Sequence, residues 1–161
     1  MDEMEGKLAL GLLAVDLGVK TGLAYFGGGG RLLWYKSQNF GSRARLRKGV
    51  PGILRKISPL SHLLAEGDRT LGEVWTREAE RLGAQVRIIG AETWRADVLY
   101  ARHRRSGEDA KRFADTRARE IIEISGAPRP KGALKHDAAE AILVGYWGVT
   151  QLGWVKASAQ R

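Results

Sequence analysis

Residues 8–15, LALGLLAV, are apolar almost without a break. A strand with one solvent-facing side alternates apolar and polar residues, whereas a strand buried on both faces reads as a nearly continuous apolar run. The segment therefore predicts a central strand, in a sheet that is covered on both faces.

Further apolar segments predict four more strands. Residues 21–26 and 31–35 flank the four glycines at 27–30, a pattern typical of a β-hairpin. Together with the first strand they predict a three-stranded β-meander. Residues 61–65 and 86–89 are short apolar runs that predict a fourth and a fifth strand.

Helical patterns lie between and after these strands. Apolar residues recur at helical spacing over residues 43–57, where Pro51-Gly52 predicts an interruption, with helix after the break and an open assignment before it. Three further helices are predicted, over residues 70–82, 106–125 and 137–147. The first of these opens on TLGE, a capping box, and the second on SGED, a similar cap. A meander followed by alternating helices and strands predicts an α/β fold with a five-stranded mixed sheet flanked by helices.

Length and charge limit the function classes. With 161 residues the chain is the size of one domain, and we expect a single domain over 1–161 with short tails at 1–7 and 155–161. The formal net charge of +9 favours a polyanionic partner, nucleic acid ahead of a membrane surface; a basic surface without a partner is the alternative. The acidic start and the lack of a bilayer-length apolar run predict a soluble, cytoplasmic protein with no membrane partner.

Four carboxylates lie where apolar segments begin or end. Asp16 follows the first strand and Glu66 the fourth, so the two meet if those strands are neighbours. Asp137 and Glu140 lie three residues apart at the start of the last helix, HDAAEAILVGYW, which is apolar nearly all round. Unpaired buried carboxylates are costly and repel each other, and a cation between them removes the cost. The alternative is that Asp137 is an N-cap and that Glu140 is solvated.

The donor types indicate which cation such a cluster would bind. The chain has no cysteine, so a metal must be held by oxygen or nitrogen, and four carboxylates suit Mg²⁺ or Mn²⁺. Two-metal cleavage of a phosphodiester uses this kind of cluster, because one ion readies the water and the other stabilises the leaving oxygen. The sequence therefore predicts a metal-dependent nuclease.

At these positions the chain resembles the RuvC-type Holliday-junction resolvases of the ribonuclease H-like superfamily, in particular the phage-encoded and related bacterial branch. The resemblance runs from about residue 10 to residue 147, and includes LGE after Glu66, ETW at 92–94 and the AKRFADTRAREII helix. It implies a ribonuclease H-like fold and a crossover junction endodeoxyribonuclease of DNA recombination and repair. It also implies a homodimer that introduces paired symmetric nicks into four-way junctions. By position, the catalytic metal ligands, for two Mg²⁺ or Mn²⁺ ions per site, become Asp16, Glu66, Asp137 and Glu140.

Two positions depart from the family pattern. Glu140 stands where cellular members more often have Asp. Residues 67–70, GDRT, lack the aromatic residue with which some members probe the junction, which leaves sequence preference open. His136 is a second candidate for the third ligand position, because it lies four residues before Glu140 on the same helix face.

Basic residues outside the acidic cluster are candidates for contact with DNA phosphates, since arginine suits bidentate phosphate contacts. The candidates are Arg69, Arg102, Arg104, Arg105 and Lys111. Several other residues are expected to be structural: Trp75, Trp94, Trp147, Glu73, Glu92 and Asp97. The helix over 70–82 carries Val74 and Trp75 beside a glutamate, more apolar surface than a small domain needs, so we expect the dimer to form through it.

Three other interpretations compete with the resolvase. DLGVKTG resembles the phosphate loop of actin-like sugar kinases and ATPases, but that fold needs two such domains and a second loop. Short ribonuclease H-like proteins linked to ribosomal RNA processing share the opening motif and would act on RNA, and four carboxylates do not decide between RNA and DNA. A catalytically inactive nucleic-acid-binding module is disfavoured because all four acids are retained.

Overall fold

The computed structural model describes residues 2–98 and 107–155. Its strands are β1 (Gly11–Asp16), β2 (Lys20–Gly27), β3 (Leu32–Asn39), β4 (His62–Glu66) and β5 (Gln85–Ile89). They form one sheet in the order β3-β2-β1-β4-β5. Strand β2 is antiparallel to both of its neighbours, while β4 is parallel to both β1 and β5. The predicted meander and mixed α/β sheet are confirmed.

Helices cover both faces of the sheet. They are α1 (Glu3–Leu8), α2 (Arg43–Arg55), α3 (Arg69–Arg81), α4 (Ala91–Val98), α5 (Gly107–Ser125) and α6 (His136–Gln151). Helices α5 and α6 pack on one face, and α2 and α3 pack on the other. Helix α1 forms where the sequence predicts only a tail, and residues 156–161 of the other predicted tail lie outside the described residues.

Strand β1 lies at the centre of the sheet, and its side chains alternate between the two cores. Leu12 and Ala14 pack with α5 and α6, whereas Leu13 and Val15 pack with α2 and α3. None of the four is more than 2% exposed. Because each face of β1 meets a helical layer, the strand needs no polar residues, and the prediction of a strand buried on both faces is confirmed.

Helix α6 lies directly on the centre of the sheet. Residues 138–145 are all buried, which confirms the predicted buried helix. Gly145 makes the close approach possible, because a Cβ atom there would lie 2.1 Å from the Phe26 ring. The sequence thus sets the height of this helix above the sheet with a residue that has no side chain.

Helix α2 corrects one prediction. It runs from Arg43 to Arg55 with Pro51 inside it, so the predicted interruption is wrong. Proline removes one backbone hydrogen bond and crowds the preceding turn. The buried residues of α2 lie on both sides of the proline: Leu46, Val50 and Leu54. Packing of this apolar stripe holds the helix together through the proline.

Two helix starts also differ from the predictions. Helix α3 is capped by Asp68, whose Oδ1 accepts from the backbone N–H groups of Thr70 at 2.7 Å and Leu71 at 3.3 Å, so the capping box assigned to Thr70 is wrong by two residues. The N-cap of α6 is Lys135, which makes no side-chain cap bond. The alternative in which Asp137 is only a cap is therefore wrong. Ser106 of the other predicted cap falls outside the described residues.

The large aromatic residues of α3, α4 and α6 belong to the core. Trp75 and Trp94 are fully buried and Trp147 is 5% exposed, as predicted for core residues. Trp75 packs between α3 and the sheet and presents no surface to a partner. Trp75 therefore cannot form part of a dimer surface, and the prediction that it does so is wrong.

Within residues 2–98 and 107–155, no helix combines the length and the hydropathy that crossing a membrane requires.

Candidate active site

The site begins where two parallel strands end side by side. Strands β1 and β4 pair in register, and Asp16 is the direct partner of Glu66. Paired residues on neighbouring strands project from the same face of a sheet, with strands about 4.8 Å apart. Each strand stays apolar up to its last residue, so both carboxylates lie together at one edge of the sheet.

Helix α6 brings the other two acids to this edge. Gly22 on β2 is the partner of Asp16 on its other side. A Cβ atom at Gly22 would lie only 1.9 Å from the backbone carbonyl oxygen of Asp137, so the first turn of α6 rests on the backbone of β2 next to Asp16. Both Asp137 and Glu140 are close enough to Asp16 for their negative charges to raise its pKa.

The electrostatics show four acids in one partly buried place. Burial, followed by the charges of Glu140 and Glu66, a hydrogen bond with Glu66 and the charge of Asp137, raises the pKa of Asp16 to about 8. Burial and the charge of Glu140 also raise the pKa of Glu66, although the hydrogen bond from Asp16 opposes that rise. Burial and the neighbouring negative charges therefore favour a protonated Asp16, which donates a hydrogen bond to Glu66. A positive charge placed among these carboxylates would reduce their mutual repulsion.

Asp137 and Glu140 have different partners. Asp137 Oδ2 accepts a hydrogen bond from Ser37 Oγ at 2.9 Å, which ties the start of α6 to β3. Glu140 is 7% exposed, so the alternative in which it is solvated is wrong. Its Oε1 lies 3.2 Å from His136 Nε2 and 3.5 Å from an Arg95 Nη2.

His136 was predicted as a possible ligand in place of Asp137, and the structure brings both residues to the site. The imidazole of His136 is about half exposed, and its Nε2 lies one helical turn before Glu140 Oε1. Asp137 instead faces Asp16 and Ser37. The choice between the two as ligands stays a prediction.

Four residues at the site are missed by the sequence analysis. Ser37 and Gly22 act on Asp137 through the packing of α6 on the sheet. Arg95 lies in α4 beside Glu140, and its charge lowers the pKa of Glu66. Glu92, expected to be structural, lies close enough to Glu66 to raise its pKa. The only sequence signal near the last two is the ETW segment in which the family resemblance was noted.

No known family profile matches the sequence, and no curated protein sequence matches it either. Solved structures do. A structure of Thermus thermophilus RuvC has 17% sequence identity and a TM-score of 0.59, over 89% of this chain and 97% of that one. T. thermophilus RuvC in complex with a Holliday junction substrate has 16% identity and a TM-score of 0.59, over 90% of this chain and 97% of that one. The chain has a RuvC-type fold.

At this level of identity the likeness establishes the fold and leaves the roles of individual residues to the geometry. On the RuvC-type fold of this chain, the four acids occupy the edge where β1 and β4 end beneath the first turn of α6. A cleft opens beside His136, the residue that contacts Glu140.

The cleft lies between α5 and the start of α6 and has a volume of about 490 Å³. Lys111 and Arg112 line it from α5, and His136 lines it from α6, next to Glu140. Both basic residues are exposed. The predicted phosphate contact Lys111 therefore shares a cleft with His136, which contacts Glu140. Asp115, Leu134 and Ala139 complete the lining of this cleft.

The other predicted DNA contacts are placed less fully. Arg69 is the exposed first residue of α3, three positions after Glu66. Arg102, Arg104 and Arg105 lie outside the described residues, so their positions relative to the acids stay predictions.

The donor set fits a hard divalent cation. In the described ranges no three His, Asp or Glu side chains converge closely enough to enclose a metal as they stand. Four neighbouring carboxylates nevertheless supply the oxygen donors that Mg²⁺ and Mn²⁺ prefer, and a divalent charge relieves the repulsion that raises the pKa of Asp16. Binding requires the carboxylates to lose their proton and rotate toward a common centre.

Proposed function

We propose that this chain is a metal-dependent endodeoxyribonuclease that resolves four-way DNA junctions by paired symmetric nicks. One observation carries the proposal: Asp16 and Glu66 end neighbouring strands, and α6 places Asp137 and Glu140 against them. A cluster of carboxylates on a basic chain suits phosphodiester hydrolysis. The acids bind metal ions, and the basic side chains around them hold the phosphate backbone of the substrate.

Each acid has a defined part in the proposal. Asp16 and Glu66 would bind the metal ions from the ends of β1 and β4, and Asp137 and Glu140 would bind them from α6. When bound, two Mg²⁺ or Mn²⁺ ions would activate a water for attack on the phosphate and stabilise the leaving oxygen. Ser37 donates to Asp137 Oδ2 and the backbone N–H of Ala138 donates to Oδ1, so both oxygens of this carboxylate are held in place beside the cluster. His136 contacts Glu140 and fixes the direction of its carboxylate.

The basic surroundings support a nucleic-acid substrate. The chain carries a net charge of +9, and Lys111 and Arg112 line a cleft together with His136, which contacts Glu140. Among solved structures of similar fold, one is T. thermophilus RuvC in complex with a Holliday junction substrate. We extend that substrate class, branched DNA, to this chain, acting in the cytoplasm of a bacterium or of a phage-infected host.

Paired nicks on opposite strands require two active sites in one particle. We therefore propose a C₂ homodimer in which each chain is one nuclease domain over residues 1–161, with one acidic cluster per protomer. Trp75 is buried and takes no part in that surface, and a dimer through the rest of α3 stays a prediction.

A side-by-side digest tests the substrate. A four-way junction, a linear duplex, a single strand and an RNA–DNA hybrid of equal length are incubated with the protein in Mg²⁺ and in Mn²⁺, with Asp16→Asn as the inactive control. We expect nicks in the junction well above those in the duplex. Equal cutting of linear duplex would contradict a resolvase, and a preference for the hybrid would contradict it and favour the ribonuclease alternative.

A further inference from the structure

Arg95 is the arginine that reaches the acidic cluster in the described part of the chain. The Nη2 atom of Arg95 lies 3.5 Å from Glu140 Oε1, and its positive charge opposes the rise that burial and Glu140 cause in the pKa of Glu66. One guanidinium on α4 thus acts on an acid from the helix and on an acid from the sheet.

The contact with Glu140 is uneven in its burial. The Glu140 side chain is 9% exposed, whereas the Arg95 side chain is 43% exposed and lies with its Cζ 5.5 Å from the centre of the Trp94 ring. Trp94 is fully buried and gives the arginine a fixed base. The guanidinium therefore lies on a fixed aromatic ring, while the solvent beside it leaves room for it to turn away from Glu140.

A divalent cation and a guanidinium compete for the same carboxylate oxygens. Two positive groups within a few ångströms of one another repel, and the repulsion is strong where water is partly excluded. If Glu140 binds a metal, Arg95 has to leave Oε1. A phosphate group of bound DNA, which offers paired oxygens to a planar guanidinium, is a suitable new partner.

We propose that Arg95 is a positioning residue that neutralises Glu140 in the metal-free protein and passes to a DNA phosphate when cations occupy the acids. This inference rests on the proposed metal site and adds a residue to it. Arg95 neutralises part of the acidic cluster without metal, weakens metal binding in the absence of DNA, and fixes the backbone of the substrate beside the acids afterwards.

The competition is measured by calorimetric titration of metal-free protein with Mn²⁺ at about pH 8.5, where carboxylates are deprotonated readily. Arg95→Gln should bind Mn²⁺ more tightly than wild type, by about tenfold, since a nearby positive charge is removed. Arg95→Lys keeps the charge and should stay close to wild type. Arg81→Gln is the matched control, because Arg81 pairs with Glu78 at 3.7 Å at the far end of α3.

The second half of the inference is measured by cleavage kinetics on the four-way junction. Arg95→Gln and Arg95→Lys should both raise KM for DNA, because neither offers the planar fork, while Arg81→Gln should not. Arg95→Lys keeps the positive charge and loses the planar guanidinium, so it separates the effect of the charge from that of the fork.

The outcomes divide cleanly. Equal or weaker Mn²⁺ binding by Arg95→Gln, with wild type binding normally, overturns the role of Arg95 and leaves the nuclease proposal standing. Tighter Mn²⁺ binding with an unchanged KM overturns the transfer to phosphate. Absence of Mn²⁺ binding in every variant, wild type included, overturns the metal site and this inference together.

Discussion

Gly22 lies directly against the backbone of Asp137: a Cβ atom at position 22 would come within 1.9 Å of the Asp137 carbonyl oxygen. Gly22 is also the β2 partner of Asp16 in the sheet register. One missing side chain therefore sets the distance between the strand that carries the first acid and the helix that carries the last two.

Replacing this glycine tests that relationship. Gly22→Ala should push α6 away from the sheet, lower the free energy of unfolding by about 1–3 kcal/mol and sharply reduce cleavage. Gly29→Ala is the matched control, since a Cβ atom at Gly29 meets nothing within 4 Å. Chemical denaturation and cleavage rates measure both effects. If Gly22→Ala keeps wild-type activity, the close approach of α6 is not what assembles the site.

The four acids should be needed for cleavage and not for binding. Asp16→Asn, Glu66→Gln, Asp137→Asn and Glu140→Gln should each abolish cleavage while leaving junction binding largely intact, because each removes a negative metal donor and adds no bulk. Gel shifts and cleavage assays separate the two properties. Near-normal activity in Asp137→Asn, combined with loss in His136→Ala, would move the third ligand by one residue.

The raised pKa of Asp16 predicts how stability depends on pH without metal. The pKa is about 8 in the folded protein, against 3.8 for an unperturbed aspartate. The folded state therefore holds a proton that the unfolded state has lost, and this contribution to stability is full below about pH 4 and is lost as the pH rises toward 8.

Asp16→Asn should remove that part of the pH dependence. The variant should be more stable than wild type at about pH 9, by about 1–3 kcal/mol, and should differ little at about pH 4. Urea denaturation in the presence of a chelator at both pH values measures the difference. A variant that is less stable than wild type at the higher pH would mean that Asp16 is not repelled by its neighbours. Added Mg²⁺ should reverse the wild-type trend by favouring the ionised cluster.

Salt dependence tests the cleft. Binding of DNA should weaken steeply with salt through counterion release, and the slope of log K against log salt should fall by about 0.9 for each phosphate contact removed. The double variant Lys111→Gln and Arg112→Gln should reduce the slope by the amount that corresponds to the loss of up to two phosphate contacts. The matched control is Arg55→Gln with Lys56→Gln, which removes the same charge at the end of α2 on the other face of the sheet. Identical slopes in the two double variants would remove the cleft from the DNA path.

Much of the fold can be predicted from the sequence because the strongest patterns in it are local. An apolar run that ends on a carboxylate marks both β1 and β4, and the pairing of Asp16 with Glu66 follows once those strands are neighbours. The apolar helix HDAAEAILVGYW likewise marks α6 and its acids. Each of these features is a pattern within a single segment, so it can be recognised without knowing which distant segments the segment contacts.

What the sequence does not foretell depends on contacts between distant segments. Ser37 reaches Asp137 across 100 positions, and Arg95 reaches Glu140 from a helix of only eight residues. Local signals also compete: Asp68 and Thr70 are both good cap residues, and the structure uses the first. The amphipathic pattern of α3 locates Trp75 on a face, but only the packing against the sheet decides that this face is inside.

The most direct test of the central claim is the position of nicks on a four-way junction, with each of the four strands labelled in turn, in the presence of Mg²⁺. The account predicts symmetric nicks in one pair of opposite strands near the crossover for wild type, and none for Glu66→Gln at equal DNA binding. Unpaired nicks scattered along the arms, or symmetric nicks that persist in Glu66→Gln, would contradict it.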